Sequence, residues 1–159
     1  FGQQALMTDE ATLDWLRHQA RGARAVFSVC TGALICGAAG LLVGRRATTH
    51  WSALHLLPLF GATPVRDRVV IDGDMIFAAG VTAGIDGALT VAAMLRGVET
   101  AQRIQLYMQY APQPPFDSGA PETAPKAVLE EARRKLEAIT KQREETARLV
   151  AAHLKLNIL

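Results

Sequence analysis

Cysteine is scarce in this sequence: Cys30 and Cys36, six positions apart, are the only two in 159 residues. Two such neighbours are no disulfide framework, and a reducing, cytoplasmic setting is expected. No apolar run approaches the roughly 18 residues needed to cross a bilayer, so a membrane is not expected as a partner. Nothing at the N-terminus reads as a signal peptide, although the first residue is Phe1. No stretch repeats. The histidines at 18, 50, 55 and 153 form neither H-E-x-x-H nor a helical i, i+4 pair, so no metal or other cofactor is expected.

Charge of one sign is also lacking, with a formal net charge of +2. Residues 126–159 carry eight Lys/Arg against five Asp/Glu, so the tail holds the excess and the body before it is nearly neutral. A nucleic-acid reader needs a clustered basic face and a reading element, and the sequence offers neither.

What is present is an ordinary globular balance, half hydrophobic and a fifth charged, in a length that suits one domain with a buried core. Thr8-Asp9-Glu10 opens a helix running to about residue 20, with Leu13, Trp15 and Leu16 available for burial. Residues 25–29 read as a buried parallel strand and 31–39 as a helix that Gly40 closes. Ala47-Thr48-Thr49 reads as a short strand, and 52–60 as a helix with Leu54, Leu57 and Leu59 apolar. Residues 69–78 form a hairpin around Asp72-Gly73. An alanine-rich helix over 83–95 reads as buried. A second, over 99–110, offers Ile104, Leu106, Met108 and Tyr110 as apolar surface. Five of the seven prolines fall between Pro112 and Pro125, which marks an irregular connection. Over 126–156, Leu129, Ala132, Leu136, Ile139, Ala147, Val150 and Leu154 recur at three- and four-residue steps, as in a packing arm or dimer element. Strands alternating with helices predict an α/β fold with a mostly parallel sheet. An α/β domain over 1–125 would carry its own helical arm over 126–159.

The chemistry concentrates in SVCTG. Ser28 before Cys30 and Gly32 after it leave room for a sharp strand-to-helix turn with the cysteine at its apex. That turn sets the sulfur at a helix N-terminus, whose unpaired N–H groups and dipole favour a thiolate. Thiol pKa values in such places fall to about 3.5–7.5. Cys30 therefore reads as a nucleophile, against the alternative of a small buried hydrophobe. Cys36, mid-helix among Leu34, Ile35 and Ala38, reads as structural, and without C-x-x-C spacing dithiol redox chemistry is not expected. Thr48-Thr49-His50 should end a strand and bring His50 to the sheet edge that carries Cys30. There His50 is a pocket wall, a proton carrier or a hydrogen-bonded core residue. AAGVTAGID sets glycines at another strand-to-helix junction, where backbone N–H groups face a ligand or glycines serve close packing.

SVCTGALICGAAGLLVGRRATTHW, the hairpin and GVTAGIDGALTVAA together resemble the ThiJ/PfpI superfamily. Its members share a flavodoxin-like, glutamine-amidotransferase-like α/β sandwich. ALMTDEATLDWLRHQA and QLYMQYAPQPPFDSGAPETAP look most like its bacterial isocyanide hydratase branch, and the resemblance covers essentially the whole sequence. It implies Cys30 as nucleophile, Thr31 with its hydroxyl beside the reacting centre, and Gly80, Val81, Thr82 and His50 at the substrate pocket. Thr31 stands where protease-like members carry histidine, which counts against peptidase activity. The single helical arm is not the helix-turn-helix region that related regulators append. The implied activity is hydration of an isocyanide to an N-substituted formamide through a covalent cysteine thioimidate. It implies a small-molecule substrate, no cofactor, no nucleic acid and a homodimer. Glyoxalase- or deglycase-like chemistry on small carbonyls, or a non-catalytic redox sensor oxidised at Cys30, are the alternatives. Family members place strands, a helix and a glycine-rich loop, with an acidic residue near the cysteine, ahead of the matched stretch. No acidic residue here corresponds to it, so the expectation is a part of a longer protein, or a fold completed by another chain.

Overall fold

The computed structural model describes residues 2–155. The apolar run at Val26 forms strand β1 (Val26–Val29), and its alternation divides the molecule into two sides. Phe27 and Val29 meet glycines of helix α4 (Ala83–Arg96). A Cβ on Gly87 would lie 2.5 Å from the Phe27 ring, and one on Gly84 would lie 3.1 Å from Val29. Val26 and Ser28 face the other way, toward helix α3 (Gly32–Ala38) and the main core. β1 pairs in parallel with β5 (Met75–Ala78), which pairs antiparallel with β4 (Val69–Asp72). The register sets Met75 and Phe77 beside Val26 and Ser28, and Ile76 and Ala78 beside Phe27 and Val29. The hairpin turn is Gly73-Asp74, where Gly73 takes φ +62°, a region open to glycine.

The core collects on the Ser28 side. Leu34, Leu42, Leu56, Leu57, Phe60, Met75 and Phe77 are all buried there, joined by Met7, in the turn after helix α1 (Gly2–Leu6), and by Leu13 of helix α2 (Glu10–Gly22). Burying a large aliphatic or aromatic side chain stabilises by about 1.5–3 kcal/mol, so this cluster is the main attraction holding the layers together. Gly40 ends α3 as expected: at φ +79° it donates to Gly37 O, while Leu41 N–H reaches back to Cys36 O.

Several elements differ from the sequence expectation. The strand expected over 47–49 is β2 (Arg46–Ala47), paired in parallel with β3 (Thr63–Pro64) in a separate two-stranded sheet. Thr48 and Thr49 leave the ladder and are buried. Among the described residues, two of the three strand pairings are parallel. The segment expected as a helix over 52–60 is a 3₁₀ helix, Trp51–Phe60, with Pro58 inside it. Its tighter winding lines up Ala53, Leu56 and Leu59, all buried, at three-residue steps. Gly37 lets it approach α3, since a Cβ there would lie 2.5 Å from the Phe60 ring.

Helix α4 is where the spacing predicts it, but it is not buried throughout: only Ala83 and Gly87 are, because β1 and β5 cover one face alone. Helix α5 (Val98–Tyr107) packs on α4 and leaves Leu106 and Tyr107 exposed. Helix α6 (Lys126–His153) is the expected arm; Leu156, its expected end, lies outside the described residues. Ala147 and Ala151 seat its inner half on the body. Beside its outer half a groove of about 530 Å³ opens toward the 3₁₀ helix, lined among others by Trp51, His55, Leu136 and Lys141. No helix among the described residues is long and apolar enough to cross a membrane.

Candidate active site

Because β1 and β5 run parallel, their C-terminal ends coincide. Cys30 leaves one and Gly80-Val81-Thr82 leaves the other, so stretches fifty residues apart share an edge. Cys30 adopts φ +56°, a left-handed conformation that costs a non-glycine residue about 1–3 kcal/mol. Two bonds hold it there. Its N–H donates to Ala78 O at 2.9 Å, and its carbonyl accepts from Thr49 Oγ1 at 2.7 Å. The sharp turn that SVCTG predicts is therefore present, with the half-buried Cys30 at its apex. A Cβ on Gly32 would sit 3.4 Å from Ser28 Oγ, so a methyl just fits against the serine. Thr31 follows at φ −71°, ψ 0°, and its side chain makes no capping bond to α3.

Cys36 is a different thiol. It is buried on the inner face of α3, and burial pushes its pKa up to about 11, with the Ser28 hydroxyl acting the other way. Ser28 Oγ itself has no well-formed hydrogen bond. A protonated thiol in that position is packing, not a nucleophile.

His50 starts the 3₁₀ helix. Its Nδ1 lies 2.8 Å from Ser52 Oγ and accepts from Ser52 N–H at 3.4 Å. A backbone N–H can only donate, so Nδ1 is an acceptor and the ring proton belongs on Nε2. Burial, then the nearby Arg143, lowers its pKa and keeps the ring neutral at pH 7. The side chain from this turn that bonds to the Cys30 backbone is Thr49, not His50. Nothing in Thr48-Thr49-His50 distinguishes the three as a sequence.

At the second strand end, Gly80 is half-buried while Val81 and Thr82 are exposed. Among the described residues their N–H groups donate to no backbone carbonyl. A Cβ on Gly80 would meet nothing within 4 Å, so open space lies over the backbone there. Three side chains that sequence reasoning missed surround this segment. Arg68 reaches Asp86 and Thr82, and Tyr110 Oη donates to Asp86 Oδ1. They sit on three separate segments, so no local spacing marks them. Among the described residues no three His, Cys, Asp or Glu side chains gather as a metal site.

The family model for DJ-1/PfpI matches residues 2–94. The chain belongs to the DJ-1/PfpI family. An isonitrile hydratase from Pseudomonas putida is 57% identical over 155 residues, covering 98% of this chain and 68% of the hydratase. The crystal structure of a ThiJ/PfpI family protein from Pseudomonas syringae superposes with a TM-score of 0.89 at 42% identity, over 92% of this chain and 60% of that one. The HTH-type transcriptional regulator CdhR of Pseudomonas aeruginosa is 36% identical over 98 residues, which is 29% of that regulator. The chain thus spans about two thirds of the hydratase and less of the other two proteins. The flavodoxin-like α/β architecture expected from the sequence is the one these neighbours share.

Proposed function

We propose that this chain carries the nucleophile of a cofactor-independent isocyanide (isonitrile) hydratase, acting on a small-molecule substrate. The observation that carries the reading is the 57% identity to a hydratase across 98% of the chain. The geometry supports the assignment of roles. The Cys30 thiolate attacks the terminal carbon of R–N≡C; as the C–S bond forms, that carbon takes a proton, giving the thioimidate R–N=CH–S–Cys. Water then adds to the same carbon and the nitrogen is protonated. The C–S bond breaks as the new hydroxyl gives up its proton, which replaces the one taken up in the first step, returning the thiolate and releasing the formamide R–NH–CHO. One hard hydration is split into two easier steps. The Thr31 hydroxyl, not engaged in capping, orients the incoming water or acid. The Gly80, Val81 and Thr82 segment and neutral His50 form the pocket wall. The resemblance assigns the proton transfers to an acidic residue without a counterpart in this sequence, and such transfers contribute about 10²–10⁴-fold.

The molecule acts as a homodimer in this reading. Leu129, Leu136 and Ile139 on the outer half of α6 are only half-covered, and a second copy completes their burial.

The test follows formamide production from a simple aryl isocyanide. The unsubstituted protein and Cys36→Ala should turn over, and Cys30→Ala should not. Turnover surviving in Cys30→Ala would reject the mechanism, and its loss only in Cys36→Ala would place the nucleophile on the other thiol.

A further inference from the structure

We propose that Arg68, Asp86 and Tyr110 act as positioning residues that clamp the segment from Ala79 to Thr82 beside Cys30, an inference that rests on the hydratase reading above. Arg68, just before β4, grips this segment at both ends. Its backbone carbonyl accepts from Ala79 N–H at 3.0 Å, and its Nη2 donates to Thr82 Oγ1 at 3.2 Å. Its Nε donates to Asp86 Oδ2 at 2.5 Å, in the first turn of α4. The other oxygen of Asp86 is occupied by Tyr110 Oη at 3.0 Å. One carboxylate thus ties α4 to the approach to β4 and to the chain beyond α5. Tyr110 lies past the residues that the family model matches, at the entrance to the proline-rich connection.

Apart from the clamp, the segment is held through its carbonyls, which accept from Ala83, Gly84 and Ile85 at the start of α4. Val81 is 77% exposed, and no N–H of Gly80, Val81 or Thr82 is used by the backbone among the described residues. Yet these amides sit at the edge where Cys30 reacts, with open space over Gly80. Donors help a reaction only if their direction is fixed beforehand, and a misplacement of about 1 Å costs about 10²-fold. The clamp supplies direction more than stability. The Arg68 side chain is more than half exposed, and an ion pair so open to solvent adds little stability.

The test uses the intact protein with Arg68→Ala, Arg68→Lys, Asp86→Asn and Tyr110→Phe. Hydrogen exchange is read at Ala79, Ala83 and Gly84, whose N–H groups bond to the carbonyls of Arg68, Gly80 and Val81. Arg68→Ala and Asp86→Asn should speed exchange at these three amides about tenfold and leave β1 unchanged. With an aryl isocyanide, kcat should fall about tenfold while KM stays within about twofold. Arg68→Lys should stay impaired, because an ammonium cannot make the forked contacts. Tyr110→Phe should lie between, and the Arg68→Ala/Asp86→Asn double variant should be no worse than its poorer parent. Unchanged or uniformly faster exchange overturns the clamp. Faster local exchange with unchanged kcat overturns its part in catalysis. If the unsubstituted protein hydrates no isocyanide, the hydratase reading fails, and the exchange measurement still decides whether the clamp exists.

Discussion

Cys30 and Cys36 belong to one short stretch, yet the fold gives them opposite surroundings. The flanking Ser28 and Gly32 announce the turn at Cys30, and the apolar neighbours of Cys36 announce its burial. The partner that holds the turn, Thr49, cannot be read from its own neighbourhood, because the contact exists only once two distant segments meet. The buried thiol has a measurable consequence. Its folded pKa, about 11, lies above the ordinary 9.0, so the native state keeps the proton longer than the unfolded chain. Its contribution is full below pH 9 and is lost as pH rises toward 11, by roughly 2–3 kcal/mol at about 1.4 kcal/mol per unit. Denaturant titrations of Cys36→Ala should therefore show a flatter alkaline limit than the parent. Parallel curves would contradict the assignment.

Helices were legible as elements and poorly legible as surfaces. The spacing over 83–95 marks α4 correctly, but amphipathic pattern reports which residues are apolar, not how many neighbours arrive to cover them. The 3₁₀ winding of Trp51–Phe60 was not readable either, nor was its close approach to α3 at Gly37, a contact between two separate segments. Glycines at such contacts give a sharp expectation. Gly87→Ala would thrust a methyl to 2.5 Å from the Phe27 ring. Overpacking of this kind costs about 1–3 kcal/mol, so thermal unfolding should begin several degrees earlier. Adding Phe27→Leu should recover part of the loss; no change in melting for Gly87→Ala would mean that α4 does not sit as described.

Across the whole molecule, the long arm poses the question of assembly. Its inner half is seated by Ala147 and Ala151, while its outer half leaves the apolar stripe half-covered above the groove at Trp51. Leu129→Glu with Leu136→Glu should convert a dimer to a monomer in sedimentation equilibrium while the far-ultraviolet spectrum of the body stays unchanged. A dimer surviving both substitutions would place the interface elsewhere. The sequence by itself determined the alternation of strand and helix, the apex cysteine with its small neighbours, the structural second thiol and the amphipathic arm, because each is written in residues a few positions apart. Tertiary structure alone decided that β1 and β5 end together, that Thr49 rather than His50 bonds to the Cys30 backbone, and that Arg68, Asp86 and Tyr110 meet. Those relations join segments 18 to 49 positions apart, and only the parallel sheet and the packing on its two faces bring them within reach.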